Sequence, residues 1–255
     1  MPPRGLRTLL KNTKACKLVG SGFRKRFETV EREGRGVALK GVTKRLESRI
    51  FSTGVMPFAA RHSDVPHGGH WRGPGGGRRR GSAVDAQVSR LAGVGSATRK
   101  KSSMLRLTKI VFAALEERGL EPVLGQRGVC SVMHRLGTAA DIVCHDADKN
   151  KVVFVELKCG HANGRKAAAL KHGEECKMRG PLRGAKDTTL NRHLAQLAVT
   201  TALFMREKKT IQKLNEMGVD GVDSALIYAN DSGAEIYRLP EWWKAKGNAL
   251  VDALK

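Results

Sequence analysis

Residues 138–160 read TAADIVCHDADKNKVVFVELKCG. Two apolar runs flank a polar turn, and their pairing decides how the rest of the chain is arranged. The runs 138–145 and 151–158 are rich in Val, Ile and Phe, and DADKN between them supplies turn residues, so the pair reads as a hairpin. Charge in such strands is tolerated where it is paired, metal-bound or at a strand end facing water. Asp141 stands early in the first run, and Glu156 and Lys158 end the second. Strand residues alternate faces, so Glu156 and Lys158 share one side while Leu157 points to the other. A tight turn lets Asp141 approach Glu156. Two hard oxygen ligands suit Mg2+. Such an ion lowers the pKa of a bound water and stabilises charge building on a phosphate, while the Lys can orient that water or offset the charge. The competing reading of the same residues is a surface ion pair at strand ends.

Working outward, SMLRLTKIVFAALEERGL before the hairpin places Leu107, Ile110, Val111, Ala114 and Leu115 on one helical face, with Gly119 as its stop. SAVDAQVSRLAGVG sets Val84, Val88 and Leu91 at helical spacing, with Ser82 as N-cap. A strand is expected over 121–127. A polar loop covers 159–187, and a helix runs from about Thr188 to Lys209 with Asp187 as its N-cap. A further helical piece reaches about Met217. DSALIYAN and AEIYRL form a second strand pair, and PEWWKAKGNAL opens a last helix on Pro. From residue 82 the order is α-α-β-β-β-α-β-β-α, an α/β domain with helices flanking a mixed central sheet.

Charge divides the 255 residues unevenly. Residues 1–101 hold 23 Lys/Arg against 6 Asp/Glu, a net of +17, and residues 102–255 hold 24 against 18, a net of +6. The basic front points to a polyanion, nucleic acid first and an anionic membrane surface next, with a solvated tail as the bland alternative. Residues 1–60 show patchy apolar positions and are assigned no fold beyond a helical turn or two at LESRIF. The stretch 61–81 is Gly-, His- and Arg-rich and reads as a flexible linker. Residues 1–77 are therefore expected to be a largely disordered basic extension and 78–255 the folded domain. Five cysteines with no CxxC pair fit a reducing compartment. No apolar run is long enough to span a membrane, so no membrane partner is expected. Residues 1–27 carry eight Lys/Arg and no acid, which suits a nuclear or nucleic-acid-binding arm, or less well an organelle transit peptide.

Asp141, then Glu156-Leu157-Lys158 after VVFV, resembles the PD-(D/E)xK nuclease superfamily, and GTAAD resembles the start of that family's first catalytic strand. The resemblance covers about residues 78–245. It implies a restriction-endonuclease-like core in which Asp141 and Glu156 bind Mg2+ (Mn2+ as the alternative) and Lys158 assists the water. HLAQLAVTTALF is similar to a helix of the RecB- and lambda-exonuclease-type branch, where a Gln is followed by a Tyr. Gln196 matches, and Thr200 stands where the Tyr would be. Gln196 is thus expected to position water or phosphate. RRRGSAVDAQVSRL resembles that branch's early helix, with Asp85 as a further metal ligand or, equally, a first-turn acid favoured by the helix dipole. Glu116 and Glu117 compete for that role. The implied activity is hydrolysis of DNA, by an exonuclease in recombination, repair or replication. The alternatives are a structure-selective endonuclease and a catalytically inactive DNA-binding protein on the same core. The location implied is a nucleus or viral replication site, with organelle import as the other option. A homo-oligomer or a partner recombinase would suit that activity.

Arg165, Lys166 and Lys171 in the long loop, and Arg78, Arg79 and Arg80 before the domain, are candidate phosphate contacts. Cys159, His161, His172 and Cys176 have no usual zinc spacing, and the cysteines are too few and scattered for an iron–sulfur cluster. Trp242 and Trp243 could stack on bases, though packing is the commoner use of such a pair.

Overall fold

The computed structural model describes residues 1–13, 16–19, 26–30, 36–52, 76–101, 103–159 and 176–255. Among them the helices are α1 (Leu6–Asn12), α2 (Val42–Arg49), α3 (Gly76–Leu91), α4 (Ser96–Lys101), α5 (Arg106–Glu117), α6 (Thr189–Met205), α7 (Lys208–Glu216) and α8 (Glu241–Ala253). The strands are β1 (Cys16–Val19), β2 (Arg26–Thr29), β3 (Ala38–Gly41), β4 (Leu120–Ser131), β5 (Leu136–Asp146), β6 (Lys151–Cys159), β7 (Val222–Asn230) and β8 (Gly233–Arg238).

The architecture is α/β, with one mixed sheet. The expected hairpin forms as β5 and β6, antiparallel from Ile142↔Val155 to Asp146↔Lys151. β6 then pairs in parallel with β7, and β7 with β8 antiparallel. β4 runs antiparallel along the whole of β5. The other edge of β5 is divided. Its start, Leu136 and Gly137, takes β3 in parallel, and its end takes β6. Asp141 lies in the fork between them. Apolar alternation buries one face under α6 and α8, with Phe154, Leu203, Phe204 and Leu250 in that core. The other face packs on α3 and α5 through Val84, Val88, Val111, Val153 and Val155.

Three departures from the sequence reading have physical causes. The basic front of the chain, expected to be poorly ordered, is built into the sheet where it is described. β1, β2 and β3 form an antiparallel set joined to β5, and Leu6, Leu10, Val42 and Leu46 lie in the main core. A buried Asp187 fastens this segment to α6: it accepts Arg192 Nε at 2.7 Å and the Ser52 backbone N–H at 2.8 Å. That role displaces Asp187 from the expected cap, and Thr188 caps α6 instead by accepting the Asn191 N–H at 3.2 Å. Finally, α3 begins at Gly76, so Ser82 is interior. Arg80 ties this unpromising Gly/Arg turn down through a fork to Asp231 beyond β7. The linker residues 61–75 lie outside the described residues.

Glycines inside strands mark where backbones cross. A Cβ on Gly128 of β4 would stand 2.1 Å from the Cys16 carbonyl oxygen, and one on Gly137 of β5 would stand 2.7 Å from Phe27 Cβ. β1 and β2 therefore ride directly over β4 and β5. Gly128→Ala is expected to lower stability by about 1–3 kcal/mol, the cost of forcing atoms into a closed contact. Urea denaturation checks it, and an unchanged midpoint would mean that β1 does not hold this position in solution.

Candidate active site

The β5–β6 register sets the centre of the site. After Ile142↔Val155 the next residues facing each other are Asp141 and Glu156, and there the two strands part. On the opposite edge, between Gly125↔Ile142 and Arg127↔Ala140, Gln126 faces Asp141. Gln126 has a left-handed φ of 48°, a conformation that costs energy for a non-glycine residue and is typical of functional sites. The fork leaves the Leu157 N–H without a strand partner. Asp141 supplies one, its Oδ2 accepting that N–H at 2.7 Å.

Glu156 is buried, at 3% exposure. Its Oε1 accepts Lys158 Nζ at 2.5 Å and Gln196 Nε2 at 2.7 Å. Its Oε2 is buried and, among the described residues, has no hydrogen-bond partner. A buried, unsatisfied carboxylate oxygen is costly and calls for a ligand or a function. Burial pushes the Asp141 carboxyl well above its usual range, and the negative Glu156 adds to this against the pull of Lys158. Burial works against the Lys158 ammonium, but Glu156 and Asp141 outweigh it and hold that ammonium above its usual range.

Asp85, on α3, joins this group from the other side. Its Oδ2 accepts Gln126 Nε2 at 3.1 Å, and its charge acts on Asp141, Lys158 and Cys159. Close packing fixes α3 there: a Cβ on Gly125 would fall 2.4 Å from Ser89 Cα. A cleft of about 610 Å³ opens beside these residues, with Asp85, Gln126, Asp141 and Gln196 among its walls. A smaller cavity of about 140 Å³ is lined by Lys158, Gln196, His193 and Thr43.

The structure thus brings together Asp85, Asp141, Glu156, Lys158 and Gln196. Thr200 turns away, its hydroxyl donating to the Gln196 carbonyl at 2.9 Å. Glu116 and Glu117, the competing acids, close α5 and are exposed. Of the phosphate-contact candidates, Arg79 is exposed on α3, Arg78 stands near the start of that helix, and Arg80 is committed to Asp231. Arg165, Lys166 and Lys171 lie outside the described residues, as do His161 and His172. The end of the expected loop is folded rather than loose: Met178 and Leu182 are core residues, and Arg179 donates to the Ser52 carbonyl. Trp243 is buried, and Trp242 is half exposed beneath Lys246.

Sequence reasoning missed the N-terminal wall of the cleft, Gly41 to Lys44 at the start of α2. It also missed His193, one helical turn before Gln196, which bonds through Nδ1 with the Tyr228 hydroxyl at 2.8 Å. The i, i+3 spacing of His193 and Gln196 was a usable signal for the second. The strand glycines were the signal for the first.

Among the described residues no helix is long and apolar enough to cross a membrane. Nor are three or more His, Cys, Asp and Glu drawn together there as a ready-made metal cluster. Compared with protein-family models and with curated proteins, the chain matches none.

Proposed function

We propose that the chain is a Mg2+-dependent nuclease that hydrolyses DNA phosphodiester bonds, built on a restriction-endonuclease-like core with a PD-(D/E)xK site. The observation that carries this reading is the orphaned Glu156 Oε2, buried opposite Asp141 at the fork of two strands and beside a charged Lys158. Oε1 is held by two donors, while among the described residues Oε2 meets none, which leaves it open to a cation.

The donor set fits a hard divalent cation. Asp141 and Glu156 Oε2 would hold it, with Asp85 as a further carboxylate on the same cleft. When bound, Mg2+ supplies positive charge that favours ionised water and offsets charge building on the phosphate. Gln196 fixes Glu156 by donating to Oε1, so that Oε2 keeps its orientation. Lys158 keeps its proton at the working pH and offers N–H donors to a phosphate oxygen. The chain's net charge of +23 favours a polyanionic substrate. An exonuclease of recombination, repair or replication remains the leading subclass, and it rests on the resemblance alone.

The deciding experiment gives purified protein linear duplex, circular duplex and single-stranded DNA, each with Mg2+ or EDTA. Mg2+-dependent loss of linear DNA alone is the expected result. Nicking of the circle would turn the reading to an endonuclease on the same site. A gel shift with no cleavage under any condition would refute the enzyme and leave a DNA-binding protein.

A further inference from the structure

We propose that the cleft beside Asp141 seats one unstacked nucleotide at the end of a DNA strand, its base lying against a shelf of Leu18, Phe27 and Leu39. The identity of the polyanion rests on the nuclease reading above; the shape of the seat does not.

The shelf comes from β1, β2 and β3, outside the stretch that resembles nucleases. Leu18 is a large aliphatic residue left 44% exposed in a four-residue strand beside Lys17. Phe27 stands over Gly137, where the absent side chain makes room for it, with Leu39 Cδ1 close by. All three line the cleft, whose other lining residues include the polar Asp85, Gln126, Asp141 and Gln196. Lys44, on the uncapped first turn of α2, adds a positive charge at the same opening. The lining therefore divides into apolar side chains from β1, β2 and β3 and carboxylates and amides from the rest of the fold, with a cation, Lys44, beside them.

That division matches a nucleotide, which has an apolar face and an anionic phosphate. The cleft's volume of about 610 Å³ lies in the range that takes one small molecule. A stacked duplex presents base edges and phosphates to a protein and hides its base faces. An apolar shelf is of use only to a base that has left the stack, where base–side-chain stacking favours binding with little regard to sequence. The seat therefore selects single-stranded or frayed ends over blunt ones.

Fluorescence anisotropy in EDTA tests this without cleavage. The probes are a short blunt duplex, the same duplex with its terminal pairs mismatched, and the mismatched duplex with abasic terminal nucleotides. Metal-free carboxylates repel all three alike. The mismatched end is expected to bind about tenfold tighter than either of the others. Leu18→Glu is expected to erase that advantage. Leu18 is exposed, so the fold tolerates the change, and Leu18→Ser should act in the same direction without adding charge. Equal affinity for the three ends, or an advantage that survives both variants, would overturn the seat. If the preference holds and no Mg2+-dependent cleavage is found, the seat stands and the nuclease reading falls. Cleavage with no preference for the unpaired end removes the seat alone.

Discussion

Glu156→Gln is expected to lower Mg2+-dependent cleavage by at least about 10³-fold while leaving the metal-free protein as stable as before, or more so. The loss follows from removing a carboxylate that would hold the ion whose charge the reaction needs. The stability follows from the local electrostatics. Glu156 Oε2 is buried and unsatisfied, and Glu156 faces Asp141, whose carboxyl it pushes upward. A neutral amide removes that repulsion and keeps an oxygen to accept from Lys158 and Gln196. Lys158 is not stranded, because Asp141 also stabilises its ammonium. Functional sites commonly trade stability for activity in this way. Mg2+ should raise the melting temperature of the wild type, since a ligand of the native state stabilises it, and should do far less for the variant. A structural ion pair predicts the reverse pattern. Breaking it would cost about 3–5 kcal/mol, and cleavage would persist. Thermal unfolding with EDTA and with Mg2+, run beside the cleavage assay, separates the two.

Arg127→Ala carries the largest expected cost to the fold, about 3–5 kcal/mol, the usual penalty for removing one partner of a buried pair. Arg127 is fully buried in β4. Its Nη2 donates to Glu207 Oε2 at 2.6 Å and to the Thr13 carbonyl at 2.8 Å, and its guanidinium lies 5.6 Å from the Phe204 ring centre. It thus joins the end of α1, the sheet and the α6–α7 corner. Burial pushes the Glu207 carboxyl up from 4.5 to about 7 despite Arg127. For a carboxyl raised on folding, the native state holds its proton more tightly than the unfolded state does. The stability linked to that proton is full below pH 4.5 and is lost as pH rises through about 7. Without Arg127 the loss should continue to higher pH, so the variant's deficit grows from pH 5 to pH 8. Urea unfolding across that range is the measurement. A deficit below about 1 kcal/mol that ignores pH would mean the pair contributes no more than an exposed one. Replacing both partners, as Arg127→Met with Glu207→Leu, should recover most of the loss.

How much of this was legible depends on how far apart the partners lie. The β5–β6 hairpin could be read because its strands are adjacent, its turn is polar, and alternation puts Glu156 and Lys158 on one face. Gln196 was legible only by resemblance, since nothing in LAQLAV says that its amide reaches Glu156. The strands β1, β2 and β3 were hidden. They are four residues each, half exposed and surrounded by Lys and Arg, and the strands that the set docks on, β4 and β5, lie about a hundred residues later. Only Gly128 and Gly137 advertised the crossing. Arg80 looked like a phosphate contact because its partner, Asp231, sits 151 residues away. Charge composition described the front of the chain well as a polyelectrolyte and poorly as a piece of sheet, because five buried leucines and valines, Leu6, Leu10, Leu39, Val42 and Leu46, weigh little in an average.

The crossing of β1 over Gly128 sets synthesis and assembly in opposite orders. Cys16 meets the Val129 carbonyl 113 residues on, so β1, β2 and β3 leave the ribosome long before there is anything for them to dock on. Contacts of such separation form late because the intervening loop must be closed first. The carboxylates and Lys158, drawn from one hairpin and its neighbouring helices, can come together earlier. A partly folded chain would therefore hold its acids ready while the wall facing them is still absent, and the last strands to dock would complete the cleft.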